Sequence, residues 1–111
     1  MAQGQELMKG NTASLLLCLI VQQPMYGYQI IKELGKRSLG YFKFKEGTLY
    51  PVLHRLERAG LIKGRWQVLP NGRQRKYYYI TDKGLATLAA KRNQWQDFLV
   101  AMNLIIQPVS T

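Results

Sequence analysis

Between Glu46 and Ile80 the apolar residues change their repeat from that of a helix to that of a strand. No other feature limits the fold of this chain so strongly. Leu49, Val52, Leu53, Leu56 and Ala59 recur at three- and four-residue intervals, so they share one face of a helix. Thr48, Tyr50, His54, Arg55 and Arg58 fall on the opposite side. Pro51 lacks an N–H and is tolerated best near a helix start, which predicts a start close to Gly47 or Thr48. Gly60 stands where a left-handed cap would end the helix. Ile62, Trp66 and Val68 then fall on alternate residues, and Pro70-Asn71-Gly72 makes a turn. Lys76-Tyr77-Tyr78-Tyr79-Ile80 follows, rich in β-formers.

A helix with a polar outer face, followed by a hairpin with a basic tip, matches the recognition helix and wing of a winged helix-turn-helix. Double-stranded DNA is then the expected partner. Arg55 and Arg58 can reach phosphates or a guanine edge, and Thr48, Tyr50 and His54 can hydrogen-bond to backbone or base. Arg73, Arg75 and Lys76 are expected at the wing tip, straddling the backbone or entering the minor groove. A solvated amphipathic helix beside a basic hairpin is the plainer alternative for any one of these residues. Their joint order favours nucleic acid.

Charge points the same way. The 111 residues carry 16 Lys and Arg against 6 Asp and Glu, a net charge of +10. Eleven basic and two acidic residues lie between Lys36 and Lys76, so the excess is concentrated where the helix and hairpin are expected. A partner bearing many phosphates accounts for that concentration. A chain of this length suits one domain, and its hydrophobic fraction of 47% is ample for a core.

Other chemistries find little support. Cys18 is the single cysteine, so no internal disulfide forms, in keeping with a reducing cytoplasm. It lies in the apolar run Leu15–Val21, which suits helix packing better than redox chemistry and is too short to span a membrane. No cleavable signal is visible at Met1–Gly10. One His and one Cys make a metal site improbable, and His54 has no serine and carboxylate to complete a triad. Neither an enzyme nor a cofactor is expected.

The remaining pattern completes the fold. A first helix is predicted from Thr12 to Gln22 and a second from Tyr26 to Arg37, with Gly27 permitting close approach of a neighbouring helix. The connector Tyr41-Phe42-Lys43-Phe44-Lys45 reads equally as a short strand or a loop. The expected class is mostly α within α+β. Residues 1–11 would form an N-terminal arm, residues 12–80 the winged helix, and residues 81–107 a C-terminal helix opened by Thr81-Asp82 and stopped by Pro108. About 25 residues give a rod of roughly 37 Å, too long to pack wholly on so small a domain. Leu85, Leu88, Arg92, Trp95, Leu99, Met102 and Ile106 follow three-four spacing along it, with Phe98 and Ile105 widening the stripe. Such a stripe is covered either by helix 1 of the same subunit or by a second copy, and its length favours a homodimer paired through Leu88, Trp95, Leu99, Met102 and Ile106. Two recognition helices about 34 Å apart would then read an inverted repeat.

In several blocks the chain resembles the PadR family of bacterial transcriptional repressors, in particular its short members with one C-terminal helix. The matching residues are Tyr26-Gly27-Tyr28-Gln29-Ile30, Gly47-Thr48-Leu49-Tyr50-Pro51-Val52-Leu53, Arg55-Leu56-Glu57 and Gly60-Leu61-Ile62. Gly72-Arg73, Arg75-Lys76-Tyr77-Tyr78 and Ile80-Thr81-Asp82-Lys83-Gly84 complete the set. The resemblance implies a homodimeric repressor released by a small molecule or stress signal. It also implies that Tyr26 and Tyr28 contact the DNA backbone; packing helix 2 against the wing is the alternative for at least one of them. Some similar regulators place a tryptophan at the position of Trp95, and the paired indoles sandwich flat aromatic compounds at the dimer interface. Trp95 filling a closed dimer core is the other reading. Arg92 and Leu99 flank Trp95 with no carboxylate on that stripe, which favours neutral or anionic planar aromatics over cations, with Ser14 and Cys18 completing the lining. A winged-helix protein binding RNA or ribosomes without sequence preference is the competing function. It gives no reason for the long C-terminal helix.

Overall fold

The computed structural model describes residues 11–107. Among them four helices and three strands follow in the order α1 (Thr12–Ile20), β1 (Met25–Tyr26), α2 (Gly27–Arg37), α3 (Glu46–Arg58), β2 (Ile62–Val68), β3 (Gln74–Ile80) and α4 (Asp82–Ile106). This is the expected winged-helix order. The expected arm lies outside the described residues except for Asn11, and Pro108 lies outside them too.

One apolar core joins the elements. Leu16, Leu17 and Ile20 of α1 meet Ile30 and Leu34 of α2, Leu49, Leu53 and Leu56 of α3, and Leu88 of α4. The sheet closes the core from one side, in the strand order β1-β3-β2 with both pairings antiparallel. Met25, Ile62 and Tyr78 face inward from its three strands. Burial pushes the Tyr78 hydroxyl up to about 12, with Glu57 and then Tyr50 adding to the shift.

Two glycines set the turns around α3. Gly60 has φ +78°, and the amides of Gly60 and Leu61 donate to the carbonyls of Glu57 and Leu56, so α3 ends in the left-handed cap that its sequence predicts. Gly72, at φ +85°, closes the hairpin turn, where Asn71 Oδ1 accepts from the Arg73 amide at 3.0 Å. The start of α3 differs from expectation. The helix begins at Glu46, with the Lys45 carbonyl accepting from Thr48 and Leu49, so Pro51 sits in its second turn. A proline there removes one intrahelical donor, and the Gly47 carbonyl loses its usual partner. The connector from Tyr41 to Lys45 is a loop, not a strand. Its Phe42 and Phe44 pack on the core while Lys43 and Lys45 stay exposed.

The root of α4 is tied to the turn between α3 and β2. Thr81 caps the helix, its Oγ1 accepting from the Gly84 amide at 3.0 Å and donating to the Gly60 carbonyl at 2.6 Å. Lys83 Nζ donates to the Ala59 carbonyl at 2.8 Å, and the Thr81 amide to the Leu61 carbonyl at 3.1 Å. Gly84 lies so close to the Leu61 carbonyl that a Cβ there would overlap it. From this root the 25-residue helix runs outward, and the molecule extends over 64 × 29 × 21 Å. Leu88, expected in a dimer interface, is only 2% exposed within the single chain, because the first turns of α4 lie over α1. Beyond it Phe98, Leu99, Val100, Met102, Leu104, Ile105 and Ile106 are all exposed.

Candidate nucleic-acid interface

Burial of Leu49, Val52, Leu53 and Leu56 turns Thr48, His54, Arg55 and Arg58 to the outside of α3. Arg55 and Arg58 occupy the last turn, where a cation also suits the negative end of the helix dipole. Lys43 and Lys45 are exposed just before the N-terminus of α3. Neither lysine is among the contacts expected from the sequence. The alternation of aromatic and lysine in the connector is the signal that marks them.

Tyr50 departs from the expected outward position. It is half-buried, and its ring lies against Gly27 at the start of α2, where any Cβ would overlap it. The close approach foreseen at Gly27 is therefore made by Tyr50. Burial, and then the Glu46 carboxylate, raise the Tyr50 hydroxyl above its ordinary range. Residue 50 stands at the margin of the α3 stripe, next to Leu49 and one turn before Leu53, so a large ring there folds inward.

The three wing cations separate. Arg73 is exposed in the turn itself. Arg75 and Lys76 lie in β3, on its two opposite sides, instead of at the tip. Lys76 is two residues from buried Tyr78 and so shares its inward side. Its Nζ lies 3.0 Å from Glu57 Oε1 of α3 and 5.4 Å from the centre of the Tyr78 ring. Gly64 of β2 leaves the space for this side chain, since a Cβ there would collide with Lys76. Arg75 turns to the outer side, where its guanidinium carbon sits 3.9 Å from the centre of the Tyr26 ring.

Tyr26 also meets Tyr77 edge-to-face at 5.4 Å between ring centres, across the β1–β3 pairing. Packing against the wing is thus its role within the fold. Tyr28 is different: it is 54% exposed in the first turn of α2, with Lys32 Nζ 5.7 Å from its ring centre. Arg65, also unmarked by the sequence, stands on the outer side of β2 with its guanidinium 5.6 Å from the Tyr79 ring centre.

These elements match known proteins. The profile of the transcriptional regulator PadR-like family spans residues 16–90. The chain belongs to the PadR-like family. A PadR-like transcriptional regulator from Bacillus cereus has the same fold, with TM-score 0.83 and 34% identity over 94% of this chain and 99% of that one. An uncharacterized protein from Lysinibacillus sphaericus is 33% identical over 92% of this chain and 94% of its own. A transcriptional regulator from Mycobacterium tuberculosis is 34% identical over 66% of this chain and 64% of its own. This PadR-like protein is therefore a DNA-binding transcriptional regulator and not an enzyme. No helix among the described residues is long and apolar enough to cross a membrane.

The residues expected around an aromatic ligand are only partly assembled within the single chain. Ser14 is 5% exposed, closed into the core, so it does not line an open surface. Cys18 is half-buried on α1, facing the charge of Arg92 on α4. Burial pushes the Cys18 thiol up, and Arg92 offsets part of that rise. Trp95 is half-buried, while Arg92 and Leu99 are exposed.

Proposed function

We propose that this PadR-like regulator is a ligand-responsive repressor that grips a palindromic operator as a homodimer and is released by a small aromatic effector. Residues 12–80 would hold DNA and residues 81–107 would pair the two copies. The observation that carries the reading is the apolar surface of α4 beyond Leu88, exposed in one subunit from Phe98 to Ile106. A second copy of the same helix would cover it through Trp95, Leu99, Met102 and Ile106, and would set two α3 helices on one face of a duplex. Thr48, His54, Arg55 and Arg58 would then meet base edges or phosphates, with Tyr28 and Arg73 on the backbone. Such a partner would be met in the cytoplasm.

At the same interface two copies of Trp95 would offer flat apolar faces, with Cys18 and Leu99 beside them and Arg92 supplying positive charge. That lining suits neutral or anionic planar aromatics, phenolic acids among them. A gel shift on the upstream region of its own gene, with excess random duplex, tests the central reading. Retention at an inverted repeat supports it; equal loss to random competitor supports non-specific RNA or ribosome binding in its place. Titrating Trp95 fluorescence with planar acids and planar cations tests the effector class, and preference for the cations would overturn it.

A further inference from the structure

Toward its far end β2 carries apolar side chains that the described residues leave largely uncovered. Ile62, Gly64, Trp66 and Val68 share one side of the strand, the side of buried Ile62. Ile62 is in the core, yet Trp66 is 65% exposed and Val68 71%. An indole left in solvent next to a valine is an unusual use of two large apolar side chains.

Its direction is defined by what lies beside it. Trp66 pairs with Lys76 across the hairpin, and Lys76 Nζ sits 6.0 Å from the indole centre while bonded to Glu57 of α3. The carboxylate of Glu57 also lies over Gly64. The side of the hairpin bearing Trp66 is thus the side turned toward α3, and Arg73 stands at its end. A duplex lying along the outer surface of α3 would run beside this side of the wing.

We propose that Trp66 is a duplex contact, its indole lying on the deoxyribose edge of the minor groove, with Val68 extending the apolar strip and Arg73 on the flanking phosphates. The sugar edges between the two phosphate rows are the apolar part of a duplex, and the indole N–H is a donor where minor-groove bases present only acceptors at A·T pairs. The charge of Lys76 is already matched by Glu57, so the indole meets the groove beside a neutralised pair, while Arg73 supplies attraction. This assignment rests on the DNA-binding reading above.

The chain holds two tryptophans, so full-length protein labelled with 5-fluorotryptophan gives two fluorine resonances, assigned by the Trp66→Phe variant. Adding a short duplex in low salt is expected to shift or broaden the Trp66 resonance and to protect Trp66 from acrylamide. Affinity of Trp66→Ala is expected to fall roughly tenfold, as for loss of a largely buried ring. Its dependence on salt should stay as in the wild type, because an uncharged group releases no counterion. Duplex binding with an unmoved Trp66 resonance, or a Trp66 already shielded in the free protein by a second copy, would overturn the assignment alone. Failure of the wild type to bind any duplex would overturn the DNA reading and this assignment with it.

Discussion

Lys76 Nζ and Glu57 Oε1, 3.0 Å apart, tie the middle of β3 to the end of α3. The pair is partly exposed, which limits its worth to about 0.5–1 kcal/mol. A urea double-mutant cycle with Glu57→Gln and Lys76→Met should return a coupling of that order. No coupling would mean that the wing is held by the sheet and core alone. In DNA titrations Arg73→Ala should reduce the salt slope by about one, whereas Lys76→Met should reduce it by less, since its charge is already compensated.

Gly27 and Tyr50 form a second close relationship. Replacing Gly27 with Ala would drive a methyl into the Tyr50 ring, and a loss of about 1–3 kcal/mol is expected from such overpacking. Tyr50→Leu should recover part of that loss in the double variant, measured by chemical denaturation. If Gly27→Ala alone is neutral, the contact is looser than described.

Arg55→Ala and Arg58→Ala test the outer surface of α3. A residue reading a base should cost about 1–3 kcal/mol on the operator and much less on random duplex. A phosphate contact should weaken both alike. Anisotropy titrations on the two duplexes distinguish these outcomes for each arginine.

Cys18 provides a pH readout. Its thiol pKa is raised by burial, so alkylation by iodoacetamide should stay slow until the pH passes above the ordinary thiol range. Arg92 favours the thiolate, and Arg92→Gln should therefore move the alkylation profile to still higher pH. An unchanged profile would show that the two groups do not sense one another.

Pairing through α4 predicts that Leu99→Glu yields a monomer by sedimentation at micromolar concentration while far-UV circular dichroism still reports folded helices. Leu88→Glu should instead unfold the protein, because Leu88 is already buried in its own core. Similar behaviour of the two variants would contradict the division of α4 at that residue.

Much of this architecture was legible in the repeat of apolar residues. The buried face of α3, the left-handed cap at Gly60, the hairpin turn and the start of α4 at Thr81 all follow from local rules. What local rules missed depended on neighbours. Met25–Tyr26 is a two-residue strand defined only by its pairing with Tyr77 and Tyr78. Tyr50 turned inward because Gly27, distant in sequence, left room for its ring. Arg75 and Lys76 read as one basic tip, but adjacent residues in a strand point to opposite sides, and the sides have different neighbours. Pro51 marks a helix start only by its missing N–H, whereas Lys45 and Glu46 open α3 earlier.

Three hydrogen bonds and a glycine contact weld the root of α4 to the turn that follows α3. The rod, if it swings, would therefore carry the end of α3 with it. Over its length of roughly 37 Å, a swing of about 5° moves the far end by about 3 Å. Should two copies pair through α4 as proposed, a molecule wedged between the rods would have mechanical access to α3 without touching it.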